Sequence, residues 1–182
     1  TITAAVRPDA VETLRATLAG MAHDPAGNAT IPFGRIDGLH FARLVLLDAT
    51  ADLTGAPIAP QLLFLLDCDA PAKRRLTQIV RTAKEGLDTL LQHCEDYPEP
   101  GNRTGRTRYD YLRAHIVRTE VAYVNTEGRP LTQIREEATL RDAIEDFLDE
   151  PQHDWRNTNA TGVRTAIQAF VESRADLRPA LK

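Results

Sequence analysis

Two apolar runs of strand length, LHFARLVLLD at residues 39–48 and QLLFLLDCD at residues 61–69, decide the fold. The linker between them is polar and contains Gly55, Pro57 and Pro60, residue types that favour turns. Two strands joined by a long hairpin connection fit this order best, and the second run has the composition of a strand covered on both faces. We therefore predict that the two runs form the centre of a sheet.

The flanking segments alternate between strand and helix patterns. TITAAV at residues 1–6 is a short β-prone run, and apolar positions at helical spacing follow it to about residue 22. A longer helical pattern covers about residues 71–94, and we expect Gly86 to break or bend that helix near its middle. A short helix around residues 109–115 then precedes IVRTEVAYVN, residues 116–125, which has strand character. This βαββαβ order predicts a ferredoxin-like α+β fold, with a four-stranded antiparallel sheet covered by helices on one face.

Two further helices are predicted at the C-terminal end, over about residues 131–148 and 160–173. We expect one α+β domain, with a ferredoxin-like core at about residues 1–126 and a helical extension at about residues 130–175. The uncovered face of such a sheet needs a partner, which is either the sheet of a second copy, as in dimeric α+β barrels, or these helices. Because the chain begins with Thr1 rather than Met, we also expect a processed product or a piece of a larger multidomain protein.

The composition excludes several classes of protein. With 22 basic and 26 acidic residues, the formal net charge is −4, so the basic footprint of a general nucleic-acid binder is missing. No apolar run approaches the roughly 18 to 20 residues that span a bilayer. The two cysteines lack the paired spacing of a disulfide framework, which favours reduced thiols and a cytoplasmic setting. We expect no nucleic-acid partner and no membrane span.

Two short segments contain every ligand type for a transition metal: Asp67, Cys68 and Asp69, and His93, Cys94 and Glu95. Neither segment has the spacing of a metal motif. Cys94 continues the apolar face of the predicted helix, and Asp69 can cap the helix that begins near Pro71. We therefore predict no metal site. The chain also lacks a nucleophile elbow, a phosphate-binding glycine loop and a dinucleotide fingerprint, which argues against most hydrolases, kinases and Rossmann enzymes.

The turn before the second strand carries the pattern Gly-x-x-Asp-Gly, from Gly34 to Gly38. It resembles the hallmark motif of dye-decolourising peroxidases, which are haem enzymes built from ferredoxin-like units. That resemblance implies that Asp37 lies on the distal side of a haem and assists peroxide cleavage, that a distal Arg stabilises developing negative charge, and that a distant His binds iron. His115 and His153 lie downstream. The alternative is a plain turn in which Asp37 binds its own backbone.

The second strand presents different residues on its two faces, because side chains alternate along a strand. One face carries Phe41, Arg43 and Val45, and the other carries His40, Ala42 and Leu44. Arg43 is then either paired with a buried carboxylate or exposed at the sheet surface, where it can bind a ligand.

A basic loop follows the long helix and contains Arg103, Arg106 and Arg108. It could bind an anionic substrate or an acidic partner. It could equally form salt bridges within the protein or between subunits, for example with the acidic face of the helix at about residues 131–150.

These observations support two functional hypotheses. The first is a non-catalytic ferredoxin-like interaction or assembly domain without a cofactor, which self-associates through its sheet face. Its candidate contacts with a ligand or partner are His40, Arg103, Arg106 and Arg108. The alternative is a small redox enzyme of the dimeric α+β barrel class, either haem peroxidase-like or cofactor-independent and monooxygenase-like, with Asp37 and Arg43 as catalytic residues. We favour the first, and the open sheet face is the feature that separates them.

Overall fold

A computed structural model describes residues 1–69, 71–121, 123, 128–153 and 155–181. The chain divides into two compact units, Thr1–Val124 and Asn125–Lys182, which are presented separately. It combines α-helices with a small antiparallel sheet, as the sequence predicts at that level. No helix in the described ranges is both long enough and apolar enough to cross a membrane.

The strands of the N-terminal unit are β1 (Ile2–Ala5), β2 (Leu39–Leu47), β3 (Thr50–Ala51), β4 (Pro57–Ile58) and β5 (Gln61–Cys68). The main sheet has the order β1-β5-β2, and β5 is antiparallel to both neighbours. The short strands β3 and β4 pair in the linker between β2 and β5. The two predicted apolar runs therefore pair as strands joined by a long hairpin connection, with β5 at the centre of the described sheet and β2 at its edge.

Four helices belong to this unit: α1 (Val11–Met21), α2 (Ala72–Thr82), α3 (Lys84–Leu91) and α4 (Gly105–Ala114). Their apolar residues pack with the inward side chains of the sheet into one core, which includes the fully buried Leu14, Leu62, Ile79, Leu87 and Leu112. On β2 the side chains alternate between half-buried and exposed after Leu39, as expected for a strand covered on one face.

The predicted long helix over residues 71–94 is two helices. The chain leaves helical geometry at Ala83 (φ −116°, ψ 30°), between α2 and α3, rather than at Gly86. Gly86 lies inside α3, where a Cβ would overlap the carbonyl group of Thr30 and lie 3.0 Å from its Cα. This glycine therefore allows a loop backbone to approach the helix, and it does not bend the helix. Cys94 follows the end of α3 and forms a single β-bridge with Val6.

The described residues do not show the predicted fourth strand. Within residues 116–125, Ile116 forms one antiparallel bridge with Ile2, and the Val117 N–H donates to the Thr1 carbonyl at 2.9 Å. Val121 is 88% exposed and Tyr123 is 86% exposed, so their side chains gain no burial from sheet formation. The rest of the predicted strand, at residues 122 and 124–125, lies outside the described residues.

The C-terminal unit contains α5 (Leu131–Asp149) and α6 (Ala160–Ser173), within a residue of the predicted bounds. Phe147 of α5 stacks on Phe170 of α6 with ring centroids 4.4 Å apart. The Trp155 indole N–H donates to the Leu148 carbonyl at 2.8 Å, and the Asn159 side chain caps α6. These contacts make the unit a helical hairpin.

Candidate functional site

The face of β2 and β5 that points away from the helices is exposed, and we call it the open sheet face. It consists of Phe41, Arg43, Val45 and Leu47 on β2 and Gln61, Leu63, Leu65 and Asp67 on β5. Phe41 is 64% exposed, Leu47 is 46% exposed and Val45 is 37% exposed. A strand with one solvated face normally alternates apolar and polar residues, whereas β5 carries leucine on both faces. The composition of β5 is therefore typical of a strand that is buried on both faces, although its residues on the open sheet face are in part exposed.

Two opposite charges lie close together among the apolar residues of this face. Arg43 lies opposite Leu65, and Asp67 lies opposite Phe41, so the two charged residues are diagonal neighbours on adjacent strands. Both side chains are exposed, and neither forms an ion pair with any residue that the structure describes. Of the two alternatives for Arg43, the structure shows the exposed one.

The Gly-x-x-Asp-Gly turn is anchored to the end of β5. Gly38 has a positive φ of 62°, and its carbonyl accepts from the Asp69 N–H at 2.7 Å. A Cβ at this position would lie 2.5 Å from the Asp69 Oδ2 and 2.6 Å from the Arg75 Nη2, so glycine suits the positive φ and a larger residue would displace the ends of these two side chains. Asp37 is exposed, and its Oδ2 accepts from the Gln78 side chain at 3.1 Å rather than from its own backbone.

His40, Asp69 and Arg75 form a polar cluster beneath this turn. The Asp69 Oδ1 lies 2.7 Å from the His40 Nε2, and the Arg75 Nη2 lies 3.8 Å from the Asp69 Oδ2. The side chains are 22%, 18% and 12% exposed for His40, Asp69 and Arg75, so the cluster is largely withdrawn from solvent. The predicted capping role of Asp69 is wrong, because α2 has Pro71 at its N-cap and no side-chain cap. Asp69 instead links the start of β2 to α2.

The sequence missed this cluster because His40 and Asp69 are far apart in the chain. The pairing register of β2 and β5 is irregular between Leu39 and Phe41. A bulge of this kind re-aims side chains locally, and alternation along the strand does not anticipate it.

Two of the three arginines of the basic loop bind other groups of the N-terminal unit. Arg108 forms a two-point contact with Asp88, at 2.9 Å and 2.6 Å, and the Tyr97 hydroxyl donates to the same carboxylate at 2.5 Å. Burial raises the pKa of Asp88, but the hydrogen bonds from Arg108 and Tyr97 outweigh it and hold that pKa below its ordinary value. Arg103 donates to the Pro98 carbonyl at 3.0 Å and lies over the Tyr97 ring.

Arg106 differs from these two residues because its side chain is 82% exposed, and its one ion pair among the described residues is with Asp110, one turn further along α4. Of the three loop arginines, it is the one whose guanidinium remains accessible to a partner.

Asp37 and Arg43, the catalytic residues of the redox alternative, do not line one cavity. Asp37 lies beside α2, in a groove that also contains Lys73, Arg74 and Arg81, whereas Arg43 lies on the open sheet face. No histidine is among the described residues that line this groove, nor among those that line two further cavities of the N-terminal unit.

The two candidate iron ligands each have one ring nitrogen beside a backbone carbonyl. The Nδ1 of His115 lies 2.8 Å from the Tyr111 carbonyl, and the Nδ1 of His153 lies 3.0 Å from the Phe147 carbonyl in the C-terminal unit. A backbone carbonyl is also the usual partner of the second ring nitrogen of a metal-ligating histidine, so these contacts do not separate the two hypotheses.

Comparison of the chain with family models, with curated proteins and with solved structures found no match.

Proposed function

We propose that the N-terminal unit is a non-catalytic interaction domain that self-associates through its open sheet face. The observation that carries this proposal is the apolar composition of that face on both strands, with Phe41 at 64% exposure near its edge. Contiguous exposed apolar surface of this kind is typical of protein interaction sites. Burying it removes apolar area from water at about 25 cal/mol per Å², which supplies the driving force for association.

We further propose that this unit is a ferredoxin-like core. The β1-α1-β2 segment encloses β5 between its two strands, which is the split βαβ arrangement. The bridge from Ile116 to Ile2 lies on the free side of β1, where the fourth strand of such a sheet would pair. Ferredoxin-like sheets have one face covered by helices, so the opposite face is available for a second sheet.

The occupant that we assign to the open sheet face is a second copy of the chain. A two-fold dimer uses the same patch on both copies, so the patch must be complementary to itself. The open sheet face satisfies this condition, because Arg43 and Asp67 lie on one surface and neither forms an ion pair with a described residue. In a face-to-face dimer, Arg43 of each copy would meet Asp67 of the other.

A mixing experiment with two single variants tests this arrangement. Arg43→Glu alone and Asp67→Lys alone each place like charges at both contacts of a homodimer, so each should dimerise more weakly than the native protein. Mixed together, they restore two opposite-charge contacts in the heterodimer. Exposed ion pairs are worth about 0.2–1 kcal/mol each, so two corrected contacts should favour the heterodimer by roughly tenfold. Native mass spectrometry of the mixture, with one variant isotope-labelled, measures this ratio.

The matched controls use the apolar residues. Phe41→Lys should convert the protein to a monomer in sedimentation equilibrium, because it replaces the most exposed apolar side chain of the open sheet face by a charge. Leu53→Lys makes a comparable change at a residue that is 108% exposed in the β3–β4 linker, and it should leave the association constant unchanged. A native protein that stays monomeric at all concentrations, or a mixture with a statistical heterodimer fraction, would overturn the assignment to a second copy.

The remaining hypotheses stay predictions. Uptake of haemin with a Soret band that is lost on substitution of His115 or His153 would support the redox alternative, with Asp37 and Arg43 as its catalytic residues. The cytoplasmic setting and the absence of a nucleic-acid partner are likewise untested expectations.

A further inference from the structure

A second feature lies on the opposite side of the sheet from the open face. A cavity of about 400 Å³ opens between the inner face of β5, α2 and α4. Its wall is largely apolar and includes Leu66, Leu76, Ile79 and Tyr109. This volume is within the range of about 300–1,000 Å³ that small-molecule sites occupy. The cavity is therefore large enough for an organic ligand of modest size.

The charged residues at this cavity are all cations. Lys73, Arg75 and Arg113 line it, and no Asp or Glu of the described chain does so. Arg75 is engaged with Asp69, whereas neither Lys73 nor Arg113 forms an ion pair with a described residue. Both lie at exposed positions on α2 and α4, so their charged ends can remain in water beside the apolar wall.

We propose that this cavity binds a small organic anion that combines an apolar body with a single carboxylate, of the class of a medium-chain fatty acid. The apolar body would contact Leu66, Leu76 and Ile79, and the carboxylate would lie between Lys73 and Arg113. Ammonium and guanidinium groups are the natural partners of a carboxylate, and hydrogen bonds to charged groups are stronger than neutral ones. This inference is independent of the proposed dimer, because Leu66 and Cys68 point to the helix side of β5 and the open face is on the other side.

Calorimetric titration with hexanoate, octanoate and decanoate tests the proposal. Each additional methylene that enters the apolar cavity should increase the association constant about fourfold. Decanol has the same apolar body without the charge, so it should bind at least about fivefold more weakly than decanoate. Equal binding of decanol and decanoate, or no binding of decanoate, would overturn the proposal.

Substitutions of the two cations test whether decanoate binds in this cavity. The double variant Lys73→Gln/Arg113→Gln removes both unpaired cations and should weaken decanoate binding about tenfold, while decanol binding stays unchanged. Arg81→Gln is the matched control, because Arg81 is an exposed cation of α2 that does not line this cavity. An equal loss of affinity in Arg81→Gln would show that decanoate responds to net charge only, and would refute the site.

Cys68 provides a direct readout of occupancy because it lines the cavity. Cys94 is 1% exposed, and burial raises its pKa to about 12, so a maleimide should modify Cys68 first. Saturating decanoate should slow this modification several-fold in the native protein, and equally in the Phe41→Lys variant. Retention in Phe41→Lys separates the two proposals, since that variant removes the dimer and leaves the cavity intact. Unchanged modification of Cys68 at saturating decanoate would contradict this location.

Discussion

Gly86→Ala and Gly20→Ala are the same chemical change in two helices of one unit, and we expect them to have opposite effects on stability. A Cβ at Gly20 of α1 would meet no atom within 4 Å. A Cβ at Gly86 of α3 would overlap the backbone carbonyl of Thr30. Helices generally prefer alanine to glycine, and both substitutions include this effect. The difference in stability between the two variants therefore measures the effect of the close approach of the Thr30 loop to α3.

The magnitudes follow from these two environments. Replacing a helical glycine by alanine gains about 0.5–1 kcal/mol when space is free, and less near a helix end, so Gly20→Ala should stabilise the protein by about 0.5 kcal/mol. Overpacking costs about 1–3 kcal/mol and is greatest where the obstructing atoms cannot rotate away. Thr30 presents backbone atoms, so the cost should lie near the upper end. After subtraction of the helix gain, Gly86→Ala should destabilise the protein by about 2 kcal/mol.

Urea unfolding followed by circular dichroism measures both variants. The midpoint should rise slightly for Gly20→Ala and fall clearly for Gly86→Ala, with the slope of the transition unchanged if the unfolded states are equally exposed. A Gly86→Ala variant that is as stable as the native protein would mean that Thr30 does not approach α3 closely. The explanation of Gly86 as a packing requirement would then be wrong.

Two further changes probe the polar contacts of the N-terminal unit. Arg108→Leu leaves the half-buried Asp88 carboxylate without its charged partner and should cost about 2 kcal/mol at neutral pH, between the values for exposed and buried pairs. The pKa of Asp88 in the folded protein is lowered from 3.8, so the stability that the Arg108–Asp88 pair contributes is fully present above pH 3.8. That contribution is lost as the pH falls through the folded-state pKa. The urea midpoints of the native protein and the variant should therefore converge in acid. Gly38→Ala forces a positive φ on alanine and crowds Asp69 and Arg75, so a loss of about 1–3 kcal/mol is expected in the same assay, and a neutral result would refute the packing seen at that turn.

Hydrophobic pattern was enough to predict most of the secondary structure. The two central strands, α1 and both C-terminal helices lie within a residue or two of their predicted bounds, because each has one strong apolar period. The break between α2 and α3 was predicted at Gly86 but lies at Ala83, since the apolar face continues through Ala83 while the helical backbone does not. The role of Gly86 depends on Thr30, which comes from a distant loop, and no local pattern encodes that approach.

The candidate site was predicted less completely than the fold. Alternation along β2 assigned Phe41 and Arg43 to one face and His40 to the other, as the structure shows. It could not indicate that His40 would bind Asp69, because that contact depends on the irregular pairing near Leu39. The cavity that contains Lys73 is formed by side chains from β5, α2 and α4, so no single segment of the sequence could reveal it.

The pairing of β1 with β5 has a consequence for the order in which the unit folds. β2 and β5 are joined by a linker that carries its own small hairpin, so their pairing closes a short loop. Ile2 instead pairs with Phe64 and Ile116, both remote in sequence, so β1 can dock only after a much longer loop has closed. Loop-closure entropy must be overcome before such distant contacts form. We expect β1 to join the sheet late in folding, so substitutions in β1 should accelerate unfolding and leave the rate of folding almost unchanged.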